Sequence, residues 1–181
     1  LYDALYLRPA LRHVLVRHEQ AAVHAAEGYA RSTGRVGVVL VTSGPGVSNT
    51  ITGLLDAHSD AVPVLCISGQ VATSVIGTQA FQESDALGMS RPVTKWNCQL
   101  HDAAQTVSAV RNALRVAASG KPGPVLLDVP KDVQLQRPRR QVEVTVPEAS
   151  TGSTWSSGSH RVISQSAFQR TTWIWSAFVT S

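Results

Sequence analysis

The chain has 181 residues, of which 43% are hydrophobic and 15% charged, and its formal net charge is +4. This composition supplies enough apolar material for one packed domain and excludes a chain that is disordered throughout. The basic residues are scattered apart from Arg137, Arg139 and Arg140. That cluster has no interleaved aromatic residue, so we interpret it as a solvated segment and expect no nucleic-acid partner.

The cysteines and the hydropathy pattern bear on the compartment. Cys66 lies in an apolar run and is predicted to be a small buried hydrophobe, while Cys98 is far from it in sequence. The pair suggests neither a disulfide framework nor a set of metal ligands, so we expect a reducing, cytoplasmic environment and no metal bound by this chain. No apolar stretch reaches the about 20 residues of a membrane helix, so no membrane partner is expected.

Strands and helices alternate through most of the chain. The predicted strands are residues 11–16, 36–41, 62–67, 93–97 and 124–129, and the predicted helices are residues 20–32, 49–58, 84–89 and 102–118. Residues 42–46 (Thr-Ser-Gly-Pro-Gly) predict a tight turn, and residues 70–83 predict a loop because they follow no clear period. The unbroken apolar strands are typical of parallel strands buried on both faces. The alternation therefore predicts an α/β fold with an open parallel sheet flanked by helices.

The two ends of the chain depart from this pattern. The chain starts at Leu1, without Met and inside an amphipathic pattern, so we expect the domain to be truncated at its N-terminus. Residues 141–147 predict a strand leading out of a domain that spans residues 1–147. Residues 148–181 hold three of the four tryptophans, have no acidic residue after Glu148 and show no α/β period. We interpret them as an irregular tail of uncertain origin; a shifted reading frame is one explanation, and resequencing the underlying nucleic acid tests it.

Three features follow the carboxyl ends of predicted strands, where open α/β sheets bind ligands. They are Glu19 at the start of a helix, the turn 42–46 and the loop 77–83. Each has an ordinary interpretation. Glu19 can interact with the helix dipole. The turn lacks both the G-x-G-x-x-G pattern and the Walker lysine, and the loop residues Phe81 and Gln82 can simply pack. Only the three together, in this order, favour a binding site.

The order and spacing of several motifs resemble those of acetolactate (acetohydroxyacid) synthase catalytic subunits. The motifs are residues 17–20 (RHEQ), 25–31 (AAEGYAR), 42–49 (TSGPGVSN), 76–83 (IGTQAFQE), 120–125 (GKPGPV) and 128–133 (DVPKDV). The resemblance runs from about Leu1 to Val146 and does not include the tail. It implies a thiamine-diphosphate-binding fold and the domain that binds the aminopyrimidine ring of that cofactor.

The resemblance gives Glu19 its role as the catalytic residue that binds N1′ of the aminopyrimidine. A carboxyl group held away from water can share a proton with a ring nitrogen. Protonated N1′ favours the imino form, whose N4′ removes the thiazolium C2 proton. The resemblance also places Thr42, Pro45, Gly46 and Asn49 beside the cofactor.

The remaining motifs are assigned to substrate and to a second cofactor. Gly77, Phe81 and Gln82 correspond to the loop that faces the reacting carbon, with Gln82 as a hydrogen-bonding catalytic group and Phe81 as a wall against water. Lys121 stands where the family usually has an arginine that contacts FAD. It keeps the charge but not the planar fork of that arginine, which leaves open whether FAD is bound.

The resemblance covers only the first of the family's three domains. A Gly-Asp-Gly motif, which belongs to the domain that holds the diphosphate through Mg²⁺, does not occur in the sequence. The complete enzyme is expected to be a homodimer or tetramer, with a small regulatory subunit as a further partner. It would decarboxylate pyruvate and join it to a second 2-oxo acid in branched-chain amino-acid biosynthesis. We expect this chain alone, with half a site, to be inactive.

Two alternatives stay open at this point. The first is another thiamine-diphosphate enzyme, such as a pyruvate oxidase or a different carboligase. The second is a non-catalytic nucleotide-binding α/β module. The loop 77–83 favours the synthase over both, since it is the segment most similar to that family.

Overall fold

The computed structural model describes residues 1–137 and 172–177. The strands are β1 (Leu11–Val16), β2 (Gly37–Val41), β3 (Val64–Gln70), β4 (Trp96–Gln99), β5 (Val125–Pro130) and β6 (Thr172–Ala177). The helices are α1 (Tyr2–Tyr6), α2 (Glu19–Thr33), α3 (Pro45–Ser48), α4 (Ile51–Ser59), α5 (Ala86–Ser90), α6 (Thr106–Ala118) and α7 (Lys131–Leu135). The strands form one sheet in the order β1-β6-β2-β3-β5-β4, and every neighbouring pair is parallel.

This architecture confirms the predicted open parallel sheet flanked by helices. The predicted bounds shift by a few residues where local chemistry is ambiguous. β3 continues through Ser68 and Gly69 to Gln70, because these residues still pair with β5. The predicted helix 102–118 begins with a 3₁₀ turn, and the Asp102 carboxylate accepts the Ala104 N–H at 2.8 Å, as expected of a cap. α1 and α7 have five residues each, too few to show a helical period.

Each face of the sheet has its own apolar core. On one face, α2 and α4 pack on β2 and β3, and Ala22, Val23 and Ala26 of α2 are fully buried. On the other face, α6 packs through Ala109, Ala113 and Ala117, which are also fully buried. Small side chains on both helices let their backbones lie close to the sheet. No helix in the described part of the chain has both the length and the apolar character to cross a membrane.

The strand β6 comes from the segment for which the sequence predicts no regular element. It lies between β1 and β2 and pairs with both. The Trp175 ring packs against Tyr29 of α2 with centroids 5.2 Å apart, and the buried Ser176 hydroxyl lies 2.5 Å from His13 Nε2 of β1. The sequence does not reveal this strand, because its pairing partners are more than 130 residues away along the chain. The predicted strand 141–147 lies outside the described residues, and the division into residues 1–147 and 148–181 stays a prediction.

Candidate functional site

Glu19 is the first residue of α2, at the carboxyl end of β1. His18 caps the helix, and its Nδ1 accepts the Gln20 N–H at 3.2 Å. Although Glu19 opens a helix, it is fully buried rather than solvated. Its Oε2 accepts a hydrogen bond from Asn49 Nδ2 at 3.0 Å, whereas its Oε1 is buried and has no hydrogen-bond partner in the described structure. A buried carboxylate oxygen without a partner is rare in folded proteins and calls for a ligand or water to complete it.

The turn after β2 brings backbone against this carboxylate. A Cβ at Gly46 would lie 2.7 Å from Thr42 Cγ2 and 3.8 Å from Glu19 Oε1. Any side chain at this position would therefore collide with Thr42 beside the unpartnered oxygen. Glycine at position 46 keeps the surroundings of Oε1 open.

The loop 77–83 packs onto the same turn. Gly44 has φ +61°, and a Cβ there would lie 2.8 Å from the Gln82 carbonyl oxygen and 2.9 Å from its Cα. Gln82 itself has φ +62°, a conformation that non-glycine residues adopt only when their surroundings impose it. The close approach of Gly44 and Gln82 fixes the loop against the turn that borders Glu19.

The loop is closed on itself by one carboxylate. Glu83 accepts backbone N–H groups from Gly77 and, at 3.1 Å, from Ala80. Hydrogen bonding, first to the Gly77 N–H, lowers the pKa of Glu83 from its ordinary value. The ionised side chain is therefore the form that holds the loop together.

A buried polar network that the sequence analysis missed lies behind this loop. The Asp128 carboxylate of β5 is fully buried and accepts hydrogen bonds from Ser68 Oγ at 2.7 Å, Gln99 Nε2 at 2.7 Å and Gln70 Nε2 at 3.2 Å. Gln70 Nε2 also donates to the Ser84 carbonyl at 2.8 Å, which ties the end of the loop to the sheet. Burial raises the pKa of Asp128 despite these bonds. An acidic residue inside the apolar strand 125–130 was the signal available in the sequence.

The structure brings together some of the predicted site residues. Glu19, Asn49, Thr42 and Gly46 form one cluster, which we call the Glu19 cluster, and Gln82 borders it through Gly44. The other predicted site residues are Pro45, Gly77, Phe81 and Lys121.

Three of these residues lie in the turn 42–46 or in the loop 77–83, and all three are exposed. Pro45 is exposed in the turn, and Gly77 is exposed with no atom within 4 Å of a built Cβ. Phe81 is 83% exposed and shields nothing within the described chain. Their roles beside cofactor and substrate stay predictions.

Lys121 is placed apart from the others. It is exposed in the turn between α6 and β5, so it lies at the amino ends of the strands. In a parallel sheet that edge is opposite the carboxyl ends where Glu19 lies. A ligand contact at Lys121 is therefore separate from the Glu19 cluster.

Comparison with known proteins gives a consistent result. Residues 1–89 match the family model described as thiamine pyrophosphate enzyme, N-terminal TPP binding domain. The chain is 55% identical over 132 residues to the acetolactate synthase large subunit of Haemophilus influenzae, covering 73% of this chain and 23% of that protein. It is 55% identical over 133 residues to the acetolactate synthase isozyme 3 large subunit of Escherichia coli, covering 74% of this chain and 23% of that protein. The mitochondrial acetolactate synthase of Schizosaccharomyces pombe is 53% identical over 133 residues, covering 74% and 20% respectively. The chain thus spans about a quarter of the length of these relatives.

Proposed function

Because the chain is homologous to the N-terminal thiamine pyrophosphate-binding domain of acetolactate synthase large subunits, we propose that the Glu19 cluster binds the aminopyrimidine ring of thiamine diphosphate. The observation that carries the proposal is Glu19 Oε1, a fully buried oxygen with no hydrogen-bond partner in the described structure. A ring nitrogen that shares a proton with a carboxyl group would complete it. The residues present therefore fit the cofactor that the relatives' family requires.

Three residues of the chain have distinct roles in this site. Asn49 donates to Oε2, which fixes the carboxyl plane and leaves Oε1 as the oxygen available to a ligand. Gly46 keeps that side of the carboxyl open, because any side chain there would meet Thr42. Glu19 then holds or releases a proton at Oε1. The cofactor, when bound, supplies an acidic thiazolium carbon that adds to 2-oxo acids, and the protein orients it and sets its protonation.

We assign the loop 77–83 to the substrate side of the same site. Gln82 lies against Gly44 in a backbone conformation with φ +62° that the loop imposes. Strained backbone of this kind is concentrated at sites where a side chain must be held for binding or catalysis. Gln82 is the proposed hydrogen-bonding group. Gly77 and the exposed Phe81 would complete the substrate pocket against other parts of the enzyme.

The whole-protein activity that we propose is that of a thiamine-diphosphate-dependent transferase of the acetolactate synthase type. It would decarboxylate pyruvate and condense the product with a second 2-oxo acid, in the cytoplasm, as a homodimer or tetramer with a regulatory subunit. The residues that bind Mg²⁺ and the diphosphate would lie outside these 181 residues. If FAD is bound, Lys121 would contact it at the opposite edge of the sheet.

A chimera tests the proposal. The 133 residues of this chain that match the Escherichia coli isozyme 3 large subunit, at 55% identity, replace the corresponding segment of that protein. We expect the chimera to form acetolactate from pyruvate and the purified chain alone to turn over no pyruvate.

Asn49→Ala in the chimera should lower activity by about 10- to 100-fold, because a hydrogen bond to a charged group is worth about 1.5–3 kcal/mol. The matched control is Ser48→Ala, since the exposed Ser48 hydroxyl donates to the Pro45 carbonyl at 3.2 Å and has no other hydrogen bond within residues 1–137 and 172–177. Equal losses in the two variants, or thiamine-diphosphate binding that ignores the Asn49 change, would contradict the proposed role.

A further inference from the structure

A second polar cluster lies on the outer surface of the two helices that start beside the Glu19 cluster. His24 and Glu27 are three residues apart on α2, so their side chains share a face. Asp56 is on α4. The two helices approach closely where Gly53 of α4 faces Val23 of α2. Glycine permits this approach, because a Cβ at position 53 would lie 2.7 Å from the Val23 side chain. This contact brings Asp56, one turn beyond Gly53, next to the two α2 residues.

The three side chains converge. His24 Nδ1 lies 2.7 Å from Glu27 Oε2 and 3.9 Å from Asp56 Oδ2. One nitrogen or oxygen atom from each residue lies within 4.8 Å of the other two. Arg31, four residues beyond Glu27 on α2, interacts electrostatically with Glu27 and Asp56, but its guanidinium donates its hydrogen bond to Asp60, at 2.7 Å. The two carboxylates of the cluster therefore have His24 as their direct partner.

Glu27 supplies an independent sign that the cluster is incomplete. Its side chain is only 4% exposed, and Oε1 is buried without a hydrogen-bond partner in the described structure. The other oxygen of the same carboxyl group, Oε2, bonds His24 Nδ1 at 2.7 Å, so the group that carries the unpartnered oxygen is already part of the cluster. A buried, unpaired carboxylate oxygen beside a second carboxylate is costly unless a cation or water completes it.

We propose that His24, Glu27 and Asp56 bind one divalent transition-metal ion, with Zn²⁺ as the ion that fits best. One imidazole nitrogen and two carboxylate oxygens are ligands that zinc accepts, and three protein ligands leave a fourth tetrahedral position for water. The imidazole disfavours Mg²⁺ and Ca²⁺, which prefer oxygen ligands throughout. At bond lengths of about 2.0 Å the ligand atoms must be about 3.3 Å apart. The side chains of His24 and Asp56 are 42% and 53% exposed, so they can make this adjustment without moving the core.

The experiment is titration of the purified chain, stripped with a chelator, with Zn²⁺ and separately with Mg²⁺ at neutral pH. We expect one Zn²⁺ per chain, no saturable Mg²⁺ binding, and a rise in the midpoint of thermal unfolding with Zn²⁺. His24→Gln and Asp56→Asn should each weaken Zn²⁺ binding by at least about tenfold and abolish the thermal shift, since each removes one of three ligands. Both positions are exposed, so the variants should fold, and circular dichroism checks this.

The matched control is His101→Gln, which removes an exposed histidine outside the cluster. It should leave both the binding and the thermal shift unchanged. Replacing Zn²⁺ by Co²⁺ should give a visible absorption band that disappears in His24→Gln. The proposal is overturned if the stripped chain binds no Zn²⁺, if the cluster variants bind it like the unsubstituted chain, or if His101→Gln loses as much as they do.

Discussion

Gly44 is the position where the loop 77–83 meets the turn beside Glu19, and Gly44→Ala tests that contact. The added Cβ would lie 2.8 Å from the Gln82 carbonyl oxygen and 2.9 Å from its Cα, both backbone atoms that cannot rotate away. Gly44 also has φ +61° and ψ −117°, which only glycine adopts readily. The backbone strain costs about 1–3 kcal/mol, and the steric overlap about another 1–3 kcal/mol. We expect a loss of about 2–6 kcal/mol, a large share of a typical domain stability of about 5–15 kcal/mol.

Gly77→Ala is the matched control, because Gly77 has φ +89° but nothing lies within 4 Å of a built Cβ. This variant should show the backbone strain alone. The assay is urea unfolding of the full chain, together with amide hydrogen exchange in residues 77–83. Gly44→Ala should have the lower free energy of unfolding and faster exchange in that loop. If the two variants are equally stable, the packing of the loop on Gly44 is wrong.

Three further predictions concern burial. Because burial raises the pKa of Asp128 above its ordinary value of 3.8, the folded chain binds this proton more tightly than the unfolded chain. The stabilising contribution of Asp128 to the free energy of unfolding is therefore present below pH 3.8 and is lost as pH rises through the raised pKa. Urea unfolding from pH 4 to 7 should show this free energy decline, and Asp128→Asn should flatten the decline. Burial raises the pKa of the Cys66 thiol to about 12, whereas Cys98 is only partly buried. An aromatic disulfide reagent at pH 8 should therefore modify Cys98 first and Cys66 only when the chain unfolds. Equal rates of modification in the folded chain would contradict this. Trp175→Ala should cost about 3–5 kcal/mol, because the residue is only 8% exposed and its ring packs between the sheet and Tyr29 of α2. A loss under about 1 kcal/mol would show that β6 does not occupy this position.

The sequence predicts the elements whose own residues carry a recognisable hydrophobic pattern. The unbroken apolar strands β2, β3 and β5 are such cases, because their local patterns record burial on both faces. β6 escapes prediction because it is buried by strands distant in sequence, and a six-residue apolar and aromatic segment is ambiguous alone.

The candidate site is likewise only partly predictable from the sequence. Because Glu19 and the turn 42–46 each follow a predicted strand, the sequence predicts that they lie at one edge of the sheet, and they do. No local pattern shows that Asn49 bonds one oxygen of Glu19 and leaves the other without a partner. Nor does the sequence indicate that Asp128 anchors the loop through Gln70, since that network joins three strands. Such contacts depend on sheet register, which alternating strand and helix patterns leave undetermined.

The role of Glu19 is tested most directly by the rate of C2 hydrogen exchange of thiamine diphosphate bound to the chimera, measured by rapid quenching and NMR. Glu19→Gln keeps the shape of the side chain and its contact with Asn49 but cannot hold a transferable proton at Oε1. The variant should bind the cofactor and fold normally, while exchange slows by about 100-fold or more, as expected when an acid–base group is removed. Exchange at the unsubstituted rate, with the cofactor bound, would show that Glu19 does not activate it.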